Sequence, residues 1–143
     1  LAGAAAATID ILFAFVFYGL RVDATPLRVL QSIASGLFGR ASFEGGIATA
    51  AAGLVAHYVI LIVAAWWYYL AALRLRALTA HPVTFGALYG VVIYFVMHLV
   101  VVPLSAAPAF KFNFVNQACE FFNHGVLGIA ISLIVARGIV RRL

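Results

Sequence analysis

The stretch GALYGVVIYFVMHLVVVP, residues 86–103, decides the fold. It lies inside 28 consecutive residues, Val83 to Phe110, that hold no Asp, Glu, Lys or Arg. About 20 mostly apolar residues suffice for a helix to cross a hydrocarbon core of about 30 Å. Pro103 and Pro108 interrupt the helical pattern at its far end, so the span is expected over about 83–103. Ile47 to Leu73 offers a second run of 27 residues without those charges, broken only by His57. Leu1 to Leu20 is a third, with Asp10 as its one exception. It exceeds the 7–15 residues of a signal-peptide core and reads as a retained span. Asn116 to Ala136 is the fourth, and it carries Glu120 and His124.

Composition agrees with this reading. Of 143 residues, 66% are hydrophobic and 9% charged, against about 45–50% and about 25% in soluble domains. Nine Lys and Arg with four Asp and Glu cannot cover a soluble domain with a polar shell. A water-soluble enzyme, a disordered chain and a disulfide scaffold are therefore excluded. The net charge of +5 gives no reason to expect nucleic acid, because the basic residues sit at the edges of the apolar runs. A single Cys119 makes neither an intrachain disulfide nor a metal cluster. The expected class is an all-α membrane protein of one domain over residues 1–143, with spans at about 1–20, 47–73, 83–103 and 116–136.

Between the first two spans, Thr25-Pro26 is a helix-start signal, a capping hydroxyl followed by proline in the first turn. Leu27, Leu30, Ala34 and Leu37 recur at helical spacing, with Arg28, Gln31, Ser32 and Ser35 mostly on the other side. A helix over about 26–38 is too short to cross, and is expected to lie at the membrane interface. A re-entrant segment is the alternative. An even number of spans puts both termini on one side. That side collects Arg74, Arg76, Arg137, Arg141 and Arg142, against Arg21, Arg28, Arg40 and Lys111 on the other. By the positive-inside rule the termini are expected in the cytoplasm. Trp66, Trp67, Tyr68 and Tyr69 read as an interfacial aromatic belt.

An ionised side chain at the centre of a span costs about 2.5–3.5 kcal/mol for Asp on insertion scales, so each such group needs a partner. Asp10 and His57 fall near mid-span and are expected to form a hydrogen bond or ion pair, whether as a registry-fixing pair or for proton handling. Asn116, Glu120, Asn123 and His124 lie within about 100° of one helical face. With His98 they could line a polar vestibule, or they could simply sit at the wet interface. Glu120 and His124 are i,i+4 partners. Small-residue stripes (Gly3, Ala7, Asp10, Ala14; Gly46, Ala50, Gly53, His57, Ala64) mark helix contacts, as does the GxxxG of Gly86 and Gly90. Haem between two histidines is permitted by spacing but demanded by nothing. A di-metal bundle is disfavoured because Glu120 and His124 miss the Glu-x-x-His spacing. No cofactor, metal or catalytic residue is expected.

The segments GLFGRASFEGGIATAAAGLVAHYVI and HPVTFGALYGVVIYFVMHLVVVPLSAAP resemble a group of small, uncharacterised bacterial inner-membrane proteins with four predicted spans. The resemblance covers most of the chain. It implies a four-helix membrane fold in the bacterial inner membrane, and it carries no activity and no catalytic residue.

The first functional expectation is a non-enzymatic accessory or scaffold subunit, embedded in lipid and docked on other membrane chains or on its own copy. It rests on the small size and on spare small-residue surface: Gly86 and Gly90 facing lipid would favour it. The alternative is a small proton, ion or solute transporter using Asp10, His57, His98, Glu120 and His124. That reading expects a polar cavity and a broken helix beside it. A lipid-modifying enzyme using Glu120 and His124 has no supporting motif.

Overall fold

The structure, a computed structural model, describes residues 1–109 and 112–140. Lys111, Arg141 and Arg142 of the charge count above, and Phe110, lie outside the described residues. Among the described residues the fold is all-helical. Four helices are long and apolar enough to cross a membrane: α1 (Ala2–Val22), α3 (Gly46–Ala72), α5 (Pro82–Leu104) and α6 (Phe114–Val140). Two shorter helices, α2 (Pro26–Phe38) and α4 (Arg76–Ala80), occupy connections.

Each boundary has a local cause. At the end of α1, Asp23 adopts a left-handed conformation (φ 54°) and its N–H donates to Tyr18 O, closing the last turn as an αL cap does. Thr25 accepts the Arg28 N–H at 3.3 Å to start α2. Gly39, at φ 59°, ends it where a side chain would be strained. A 3₁₀ turn over Gly39–Phe43 then leads towards α3. Inside α5 the ladder loosens into a π-helical turn over Met97–Val101. Pro103 is the cause on the sequence side, since it lacks an N–H and its ring crowds the carbonyl four residues back, that of Leu99.

α2 turns a face that includes polar residues onto the bundle. Val29, Gln31, Ala34 and Ser35 are buried, whereas Leu27 and Leu37 are exposed. The polar side turns inward because its groups find backbone partners: Gln31 Nε2 donates to Gly46 O at 3.2 Å and Ser35 Oγ to Ser32 O at 2.6 Å. The leucines are left on the outside. Tyr68, expected in the aromatic belt, is likewise buried, packing on Tyr89 and donating to Leu78 O.

The closest helix pair is α5 on α6. Gly86, Gly90 and Gly128 line it, and all three are buried. A methyl group built on Gly90 would run into the backbone of His124 and Gly125, and one on Gly86 into Ser132 and the backbone of Gly128 and Ile129. The GxxxG face is thus spent inside the chain. Gly3 does the same for α1 against the Leu61–Ile62 backbone of α3, and Gly53 seats α3 on α2 at Leu30. Gly90→Ala is expected to destabilise the fold by about 1–3 kcal/mol, the usual cost of overpacking. Gly125→Ala, where a methyl meets nothing within 4 Å, should leave stability unchanged or raise it. Denaturant unfolding of both variants in the same detergent checks the contrast.

Candidate functional site

Eleven of the polar side chains at one end of the bundle form a column between α1, α3, α5 and α6. That end carries α2, the C-termini of α1 and α5, and the N-termini of α3 and α6. The outermost rung joins Arg21 Nη2 to Asn116 Oδ1 at 3.4 Å. One turn deeper, Glu120 is held from two helices: the Tyr18 hydroxyl donates to its Oε1, and His98 Nε2 lies 3.2 Å from its Oε2. Beside it Tyr94 donates to Gln117 Oε1 at 2.6 Å. The innermost rung is Asp10, which accepts from Asn123 Nδ2 and has His57 Nε2 at 3.7 Å. Asn123 lies seven residues beyond Asn116 on α6, so the column is about 10 Å deep.

Below Asp10 the interior is dry. Ala6, Ala7, Leu61, Ala65, Leu127, Ile131 and Val135 form a buried apolar cluster, with Ile131 fully covered and Leu127 at 2% exposure. The polar groups in this half, Tyr68, Tyr89 and Ser132, donate to the carbonyls of Leu78, Ala64 and Pro82. The column therefore enters from one end and stops near mid-bundle.

The histidines are oriented by backbone carbonyls. His57 Nε2 is 3.0 Å from Ala7 O. A carbonyl only accepts, so Nε2 carries a proton. Its hydrogen bond goes to Ala7, and Asp10 sits beside it at ion-pair distance, with Asn123 as the carboxylate's hydrogen-bond donor. His124 Nδ1 donates to Glu120 O at 2.8 Å, so the i,i+4 relation of these residues runs through the backbone and leaves the Glu120 carboxylate to Tyr18 and His98. In neutral His124, Nε2 then carries the lone pair. His98 Nδ1 donates to Tyr94 O at 2.9 Å. The rings of His98 and His124 pack edge to face at 6.4 Å, and Tyr94 packs on both. Among the described residues no three His, Cys, Asp or Glu are grouped to hold a metal ion.

All seven residues singled out from the sequence, Asp10, His57, His98, Asn116, Glu120, Asn123 and His124, fall within this column. Tyr18, Arg21 and Gln117 join it without having been expected. Tyr18 and Arg21 lie at the end of a span, where aromatic and basic residues are ordinary interface anchors, so nothing local marks them as partners of α6. Tyr94 shares one face of α5 with Gly90 and His98, at four-residue spacing.

Part of the column is open at the surface of the bundle. The side chains of His98 and Glu120 retain 27% and 26% exposure, while His57 and Asp10 retain 9% and 20%. No family model, no curated protein and no solved structure matches this chain, so the site is read from its own geometry.

Interhelical hydrogen bonds in membranes average about 0.6 kcal/mol, less than the about 2.5–3.5 kcal/mol cost of an ionised Asp at mid-span. Asn123 supplies the hydrogen bond that Asp10 accepts among the described residues. Asn123→Leu is expected to lower stability by about 1–3 kcal/mol, because a carboxylate loses its donor. Asp10→Asn in that background should recover part of the loss. A double-mutant cycle by denaturant titration checks this, and additive losses would show the two side chains to be uncoupled.

Proposed function

We propose that this chain is a multi-pass membrane protein of the bacterial cytoplasmic membrane whose polar column is a one-sided vestibule. The vestibule takes up a small ion or solute from one membrane face, as part of a small transporter. The reading rests on one observation: Asp10, His57, His98, Glu120 and His124 lie together in a partly exposed column that ends on a dry core. Intramembrane ionisable groups so arranged mark ion and solute pathways. A second feature supports it. The π-helical turn Met97–Val101 contains His98, and π-turns and broken helices recur at functional sites.

A dead-ended column is not a pore. Passage through this chain requires the apolar half around Leu127 and Ile131 to open alternately with the vestibule. The site residues are Asp10, His57, His98, Asn116, Glu120, Asn123 and His124, to which Tyr18 and Tyr94 are added. In this arrangement the termini are cytoplasmic, and α2 lies in the opposite interface with Leu27 and Leu37 towards lipid. The accessory-subunit expectation has lost its distinguishing feature, since Gly86 and Gly90 pack against α6 within the chain.

In a Cys119→Ser background, single cysteines at Asn116 and Gln117 should react with a membrane-impermeant thiol reagent from one face only. Cysteines at Leu127 and Ile131 should resist it from both faces. Unreactive positions 116 and 117 would overturn the vestibule. Asp10→Asn is expected to abolish uptake in reconstituted vesicles while the protein remains folded. Unchanged uptake would remove Asp10 from the pathway.

A further inference from the structure

We infer that the species this vestibule holds is the proton, stored between His98 and Glu120. The inference rests on the vestibule reading above and names its ligand. It follows from where the two ring nitrogens of His98 point. Nδ1 is 2.9 Å from Tyr94 O, a carbonyl with no hydrogen to give, so Nδ1 is protonated. Nε2 is 3.2 Å from Glu120 Oε2. A bare Nε2 facing a bare carboxylate oxygen would set two lone pairs against each other. One further proton must lie between them, as imidazolium with carboxylate or as neutral imidazole with carboxylic acid.

Both forms contain the same atoms, and the pair is net neutral in each. Transfer moves the proton from Nε2 to Oε2 and cancels both charges. Release of that proton to water leaves the pair at −1. The neutral, loaded pair is the form suited to a site bordering hydrocarbon.

The donor set also argues against a dehydrated metal cation. A site for Ca²⁺ or a similar hard cation supplies about six to eight oxygen ligands with free lone pairs. Here Oε1 of Glu120 accepts from Tyr18 and Oε2 faces His98, while Tyr94 O is engaged by Nδ1 and Gln117 Oε1 by the Tyr94 hydroxyl. Oxygen atoms that could strip an ion of water are already occupied by N–H and O–H groups.

Other ionisable groups surround the pair and will tune its loading. Tyr18 and Asp10 act on it from α1, Tyr94 from its own helix α5, and His124 from α6, while Arg21, His57 and Cys119 act on its neighbours Asn116, Asp10 and Tyr18. Asp10 lies within range of the charges of Glu120, His57 and His124. His124 packs its ring against His98, one turn below Glu120.

The test uses the full chain in lipid bilayers, with ¹⁵N-labelled histidine and infrared detection of the carboxyl stretch over a pH series. His98 Nε2 and the Glu120 carboxyl should change together in one step, and added Na⁺ or K⁺ should not move it. In Glu120→Gln that infrared step should vanish and His98 should titrate alone. In vesicles carrying a pH-sensitive dye, wild-type protein should conduct protons, and Glu120→Gln should reduce the flux by about a hundredfold or more, the effect of losing a positioned acid–base group. Neutral imidazole beside ionised carboxylate at the same pH would overturn the inference, as would a step displaced by Na⁺ or a Na⁺ flux without proton flux. Those results leave the vestibule standing, since thiol labelling decides it separately. Unreactive cysteines at 116 and 117 would overturn both.

Discussion

No water is available within hydrocarbon to satisfy a polar group, and the arrangement of this bundle follows from that constraint. Asp10 on α1 and Glu120 on α6 each need donors, and a single helix cannot supply them. The donors come from other helices: Asn123 to Asp10, and Tyr18 and His98 to Glu120. These bonds fix α1 and α5 against the first half of α6. Where they end, the bundle changes character, and its other half is held by close apolar packing of Leu61, Leu127, Ile131 and Val135. One chain thus contains two halves with different chemistry, one polar and partly exposed, the other apolar and buried.

The close approach of α5 to α6 makes the polar half possible. An imidazole reaches a carboxylate across two helices only if their backbones come near. Gly86, Gly90 and Gly128 allow that approach. The stripe continues through Tyr94 to His98 at four-residue spacing, so the residues that permit contact and the residue that uses it share one face. The π-helical turn then places His98 Nδ1 on Tyr94 O, and this carbonyl sets which nitrogen faces Glu120. The packing motif and the site are successive parts of one helix face.

The spans were legible because length and apolarity alone specify them, and α6 exceeds the expected 116–136 at both ends, starting at Phe114 and continuing through Arg137 to Val140, where a basic residue suits the helix's negative end. The inward polar residues were legible as well, since an Asp, Glu or His inside an apolar run stands out. Their pairing was only half readable. Asp10 and His57 come within ion-pair distance as their depths suggested, yet their hydrogen bonds go to Asn123 and Ala7. Which of two nearby groups wins depends on helix rotation, a few tens of degrees that no spacing rule resolves. Tyr18 was missed for the opposite reason: its position at a span end has an ordinary explanation.

The neutral pair and the dead-ended column bear on each other. A carboxylate beside a dry core is costly only while it is charged and uncompensated. With a proton held between His98 and Glu120 the rung is neutral, and the apolar half below can stay closed. Losing that proton places a net negative charge at the boundary, where the local dielectric is low and the charge is least well tolerated. The helix most able to respond is α5, whose hydrogen-bond ladder is already relaxed over Met97–Val101 and ends at a proline. In the proton-handling reading, charge state and helix shape therefore meet at one residue. His98 is both the proton's partner and part of the turn that can move.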